Sequence, residues 1–207
     1  MSADIGTPPH EGPLTPEETS VLTVNDAGGH MDTSFGVGLG GRLIFWIAVT
    51  FSCFQLFTAA WAILPSQVVR SVHVGFLLLL LFAISAQHAP GIFRRYGLWA
   101  LAVISFAVGL YHWVFYVDLL IRAGDPSTTD IIVGVIAVAL VFEAARRLMG
   151  IALPLICGAF LAYALFGHLL PDPLNHRGYY FEQVVEQLYM GTEGIYGIPT
   201  YVSSTFI

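Results

Sequence analysis

VVRSVHVGFLLLLLFAISAQHA, residues 68–89, decides the fold. It carries one charge, Arg70 near its edge, centres on the run Leu78–Phe82 and stops before Pro90. An α-helix rises 1.5 Å per residue, so roughly 20 apolar residues cross the ~30 Å of hydrocarbon in a bilayer, and this stretch has that length and composition. Four further segments share the pattern. Leu43–Leu64 precedes it and is stopped by Pro65; Leu98–Leu120, Ile131–Leu148 and Ile151–Leu170 follow, the last ending before Pro171. Turns rich in Pro and Gly separate them, among them Ala89-Pro90-Gly91 and Gly124-Asp125-Pro126. The expected fold class is all-α, a polytopic transmembrane helical protein with five spans.

Composition agrees. The 207 residues are 56% hydrophobic and 11% charged, with a mean hydropathy of +0.74, where a soluble domain has about a quarter of its residues charged. All eight basic residues are arginines at or near the edges of apolar runs. An N-terminus on the inside places Arg42, Arg94, Arg95, Arg146 and Arg147 in the cytoplasm and leaves Arg70, Arg122 and Arg177 outside, which is the orientation expected. Cys53 and Cys157 lie in apolar runs more than 100 positions apart. Both read as small core or lipid-facing residues, with neither a disulfide nor a metal site expected.

Residues 1–41 contain six acidic residues, no basic ones and much Gly, Pro, Ser and Thr, whereas eight arginines balance eight Asp and Glu from residue 42 onward. Such a tail buries too little apolar surface to offset its ordering entropy, so disorder is expected. It lacks a basic region running directly into an apolar one, so the first span is expected to direct insertion itself. The glycines of Gly36–Gly41 read as a flexible hinge into the membrane.

Beyond the fifth span, Tyr179–Met190 places Phe181, Val184, Val185, Leu188 and Tyr189 on one helical face and Glu182, Gln183, Glu186 and Gln187 on the other. At about a dozen residues with two acidic side chains it is too short and polar to span, and it reads as an interfacial amphipathic helix on the external side, with Tyr179, Tyr180 and Tyr189 at headgroup depth. Then comes EGIYGIPTYVSSTFI, residues 193–207, an apolar stretch interrupted by Gly194, Gly197 and Pro199. Two readings stay open: an ordinary sixth span with a Gly/Pro entry turn, or a broken helix whose freed carbonyls and helix ends serve an ion or substrate path. On the second reading the candidate residues are Glu193, Gly194, Gly197, Pro199, Ser203, Ser204 and Thr205. The sequence stops inside this segment, as the front part of a larger permease continuing beyond residue 207 would.

Other polar residues invite hypotheses. Glu143 precedes Arg146 and Arg147 at i+3 and i+4, the spacing of a helix-end ion pair. Facing members of His73, His88 and His112 would make a haem-bearing redox subunit, the alternative to a transporter; a scaffold without transport is its bland form. Asp118 and Asp125 read as helix-end residues, and Asp130 as the N-cap of the fourth span. Phosphate loops, dinucleotide-binding glycines, zinc-ligand clusters and nucleophile elbows are all missing, so an enzyme is not expected.

Three blocks in order carry a family resemblance: FEAARRLMG at 142–150, GHLLP at 167–171 with HRGY at 176–179, and LYMGTEGIYGIP at 188–199 running into VSST at 202–205. Over about residues 130–207 the chain resembles the fused membrane component of tripartite ATP-independent periplasmic (TRAP) transporters, of the TAXI-receptor subclass. Residues 42–125 match only in pattern. The resemblance implies a small-subunit-like scaffold of three spans at 42–125 and, at 126–207, the start of the large transporting part, with the amphipathic helix bracing a moving domain. It further implies an inner-membrane importer of an organic anion, such as a dicarboxylate or an acidic amino acid. Such an importer is driven by an ion gradient, usually sodium, and loaded by a periplasmic TAXI-type solute-binding protein. Cofactors are not implied beyond sodium as coupling ion, whose site lies mostly downstream. The implied partners are the receptor, the lipid bilayer and the remainder of the permease, with no nucleic acid.

Overall fold

In a computed structural model of the chain, residues 38–61 and 64–205 are described. Residues 1–37, where most of the expected disordered tail falls, lie outside the described residues. The fold is all-α. Its elements are α1 (Leu39–Trp61), α2 (Ser66–Gln87), α3 (Ile92–Val114), the short α4 (Tyr116–Ile121), α5 (Thr128–Met149) and α6 (Ala152–Phe166) with a 3₁₀ turn Gly167–Leu169. They continue with α7 (Phe181–Val185), its π-helical extension Glu186–Met190, and α8 (Ile198–Thr205). Among the described residues, five helices are long and apolar enough to cross a membrane: α1, α2, α3, α5, and α6 with its 3₁₀ turn. The chain is a multi-pass membrane protein.

The α2–α3 hairpin is its centre. In lipid there is little hydrophobic force between helices, so association rests on close packing, and small residues let backbones touch. Ser71 and Gly75 on α2, and Ser105 and Gly109 on α3, form two such four-residue steps. A Cβ on Gly109 would stand 2.8 Å from the Ser71 carbonyl oxygen and 2.9 Å from Gly75 Cα. The surrounding core draws Val68, Val72, Phe76, Leu79, Phe82, Ala83 and Ala86 from α2, with Leu98 and Ala102 from α3, Ile44 from α1, and Leu140 and Ala144 from α5. Lipid-compatible surface lies elsewhere: α6 buries no residue, and meets α5 where Gly158 faces the Phe142 ring. Cys53 and Cys157 are free and exposed.

Boundaries differ from the sequence expectation at three places. The Gly36–Gly41 run is not hinge throughout, because α1 begins at Leu39 and, of its described glycines, only Gly38 keeps a left-handed φ of 95°. The third span starts at Ile92, so Arg94 and Arg95 lie inside it, and it breaks at Phe115 instead of running on to Leu120. The fourth span is capped by Ser127, not Asp130. Ser127 Oγ accepts the Asp130 N–H while the Asp130 carboxylate accepts the Ser127 N–H at 3.0 Å, a capping box that satisfies two otherwise orphaned donors.

The arginines sort by end. Glu143 accepts from Arg146 Nε at 2.8 Å and Arg147 Nε at 2.7 Å, and the Arg147 guanidinium lies over the Phe82 ring, beside the end where Arg95 bonds Gln87 at 3.3 Å. Arg70, Arg122 and Arg177 belong to the opposite end. Ion pairs of this i,i+3 and i,i+4 kind on a helix contribute only ~0.3–0.5 kcal/mol each.

Gly109→Ala is expected to destabilise the protein in detergent by about 1–3 kcal/mol through backbone overpacking. Gly97→Ala, in the same helix with open space around it, should be neutral or stabilising by up to ~1 kcal/mol. Thermal unfolding of both variants checks this, and equal midpoints would refute the contact.

Candidate functional site

The terminal segment, not the histidines, gathers the polar side chains. After Met190 the chain leaves helix geometry, and the Ile195 N–H turns back to the Leu188 carbonyl at 2.8 Å. Any side chain at Gly194 would run into Leu188 backbone, and one at Gly197 would lie 2.9 Å from the Gly194 carbonyl oxygen. Glycine is needed here for space. Helix geometry resumes at Ile198, with Pro199 in the first turn where a missing N–H is harmless.

Irregular backbone at this depth needs partners. Side chains three residues apart on α2 supply them. Gln67 Nε2 donates to the Met190 carbonyl at 2.7 Å, and Arg70 Nη1 donates to the Tyr196 carbonyl at 2.7 Å. The same guanidinium donates through Nη2 to Ser66 Oγ at 2.7 Å and lies 4.6 Å from the centre of the Tyr201 ring. One turn deeper, His73 Nε2 lies 3.3 Å from Ser203 Oγ, which gives its own hydrogen to the Thr200 carbonyl at 3.1 Å. With that hydrogen on Thr200, Nε2–H is the donor to Ser203, and His73 Nδ1 is buried with no hydrogen-bond partner among the described residues. From α1, Gln55 Nε2 donates to the Ser204 carbonyl at 3.3 Å.

Beneath the segment lies a ring cluster. Tyr189 and Tyr196 are buried, and His112 meets them edge-on at 5.5 and 5.0 Å. Tyr189 donates to the Val108 carbonyl at 3.1 Å, accepted despite its place in an intact helix because carbonyls keep a second lone pair. Burial pushes both phenols above their ordinary pKa, so they stay protonated donors. Tyr189 thus faces the bundle interior rather than the surface. Tyr179 and Tyr180 are exposed, whereas Tyr189 enters the bundle because Gly134 on α5 leaves room, a Cβ there lying 2.6 Å from Val185 Cγ1 and 3.3 Å from Tyr189 Cβ.

Neighbouring devices lock the same end. Asp130, fully buried, accepts from Tyr111 Oη at 2.6 Å and pairs with Arg122 at 3.3 Å. Glu186 accepts the Gly124 N–H, tying the α7 extension to the α4–α5 loop. In the GHLLP and HRGY blocks, the His176 ring fills the space at Gly167, and a Cβ on Gly178 would lie 2.6 Å from His168 Nδ1.

Of the residues singled out from sequence, Ser203, Ser204, Gly194, Gly197 and Pro199 belong to this assembly. Glu193 and Thr205 are exposed, and Glu143, Arg146 and Arg147 stand at the other end. His73 packs on Phe51 at 5.2 Å and His112 on the two tyrosines, so the two rings occupy separate neighbourhoods. No group of three metal-ligating side chains occurs among the described residues. The sequence reading missed Gln55, Gln67 and Arg70 as anchors; Arg70, one turn inside a span, was the available signal. No family model, curated protein or solved structure matches the chain.

Arg70→Met is expected to loosen the segment by ~1.5–3 kcal/mol, the worth of a charged hydrogen bond. Hydrogen exchange at amides 191–197 should rise roughly tenfold or more, with Arg122→Met leaving those amides unchanged. Unaltered exchange in Arg70→Met would show that the clamp is not carried by that side chain.

Proposed function

We propose that the chain supplies the amino-terminal portion of the membrane component of a TRAP transporter of the TAXI-receptor type, importing an organic anion. The observation that carries this reading is the glycine-rich, non-helical segment 191–197, held by Gln67 and Arg70 of a close-packed hairpin and followed by a short helix entering along α2. Segments of this kind are what secondary transporters use to present freed backbone groups to ions and substrates. Residues 42–125 act as static scaffold, α7 with its extension braces the junction, and α8 leads toward the mobile part. The coupling ion is sodium, the periplasmic receptor delivers the solute, and the protein sits in the inner membrane with its N-terminus in the cytoplasm. The polar anchors come from α1 and α2, within the part read as scaffold, which favours a fixed support over a redox centre.

The test is uptake by the membrane protein that carries this chain, reconstituted with its soluble receptor. Accumulation should require both sodium and receptor, and Gly194→Val should reduce it to background while Gly97→Ala does not. Uptake indifferent to sodium, proton gradient and receptor would overturn the mechanism, and a reporter fused after Arg147 that reads outside would overturn the orientation.

A further inference from the structure

A cleft of about 840 Å³ opens at the end opposite the paired arginines. Its walls are of two kinds. Leu119 and Leu120 of α4 and Leu161 and Ala164 of α6 give an apolar side, while Gln183, Gln187 and Arg177 give a polar one. His112 and Gln67 line it as well. The volume is that of a small-molecule site, but the setting is unusual. One wall belongs to α6, an apolar helix of spanning length that buries no residue. A face of that composition suits acyl chains and lets an occupant enter from the side.

Charge narrows the choice. At this end Arg70 is engaged with the terminal segment and Arg122 with Asp130. The Arg177 guanidinium has no hydrogen-bond or ion-pair partner among the described residues. Glu186 also faces the cleft, its carboxylate tied to the Gly124 N–H, and disfavours a dianion. One uncommitted guanidinium matches one negative charge, and its planar fork matches phosphate oxygens.

We propose that this cleft binds a glycerophospholipid of the adjoining leaflet, with its phosphodiester on Arg177 and an acyl chain between Leu119–Leu120 and Leu161–Ala164. The bound lipid wedges α6 against α4 and the α7 extension, which share few direct contacts of their own. This inference stands independently of transport.

Native mass spectrometry of the full chain in detergent, titrated with dioleoylphosphatidylglycerol, tests it. One lipid should remain bound per chain. Arg177→Gln is expected to weaken it about tenfold or more, and Ala164→Trp, which fills the apolar wall, should abolish it. Both substitutions lie at accessible positions, and an unchanged circular dichroism spectrum confirms folding. Equal retention of dioleoylglycerol or oleate would overturn the phosphodiester, displacement by inorganic phosphate would make the cleft a small-anion site, and binding unmoved by either variant would overturn the location.

Discussion

Backbone contact between α2 and α3 at Gly75 and Gly109 is the constraint on which the rest depends. It fixes the register of one helix on the other, and both then serve as templates. α2 carries Gln67, Arg70 and His73 toward the terminal segment, and α3 offers the Val108 carbonyl to Tyr189. A slip of one turn along this seam would move those groups by about 5.4 Å, beyond hydrogen-bond reach of their partners. Packing precision in the hairpin is thereby converted into placement of irregular backbone.

That placement answers the problem of non-helical chain near hydrocarbon. The Met190, Tyr196 and Ser204 carbonyls meet side chains of long reach from α1 and α2, a glutamine or an arginine, while the Ile195 carbonyl takes the local Thr200 hydroxyl at 2.6 Å. Arg70 alone touches a carbonyl, a hydroxyl and a ring. Concentrating the support in few side chains still holds α8 along its length, at the Tyr201 ring, at Ser203 and at the Ser204 carbonyl.

The spans were legible because the bilayer imposes a length that composition can meet or fail to meet. All five appear where apolar runs stand in the sequence, and most errors lie at the ends, where Arg94 and Arg95 extend a helix the hydropathy reading cuts short. The capping box was half visible: Asp130 stood in the right place, but its partnership with Ser127 reverses the roles. The clamp was hidden. Nothing local marks Gln67 as facing Met190 across 123 residues, and the burial of Tyr189 becomes apparent only when the absent side chain at Gly134 is seen to admit it. Local periodicity encodes which face is apolar, whereas these pairings depend on which helices touch.

The Gly167–His176 and Gly178–His168 contacts couple distant positions of one loop. Each imidazole occupies the room that a glycine leaves, in crossed order along the chain, so the four positions form two interleaved pairs. A larger residue at either glycine forces its imidazole to move or calls for a smaller side chain in its place, so the energetic effects of changes within a pair do not add.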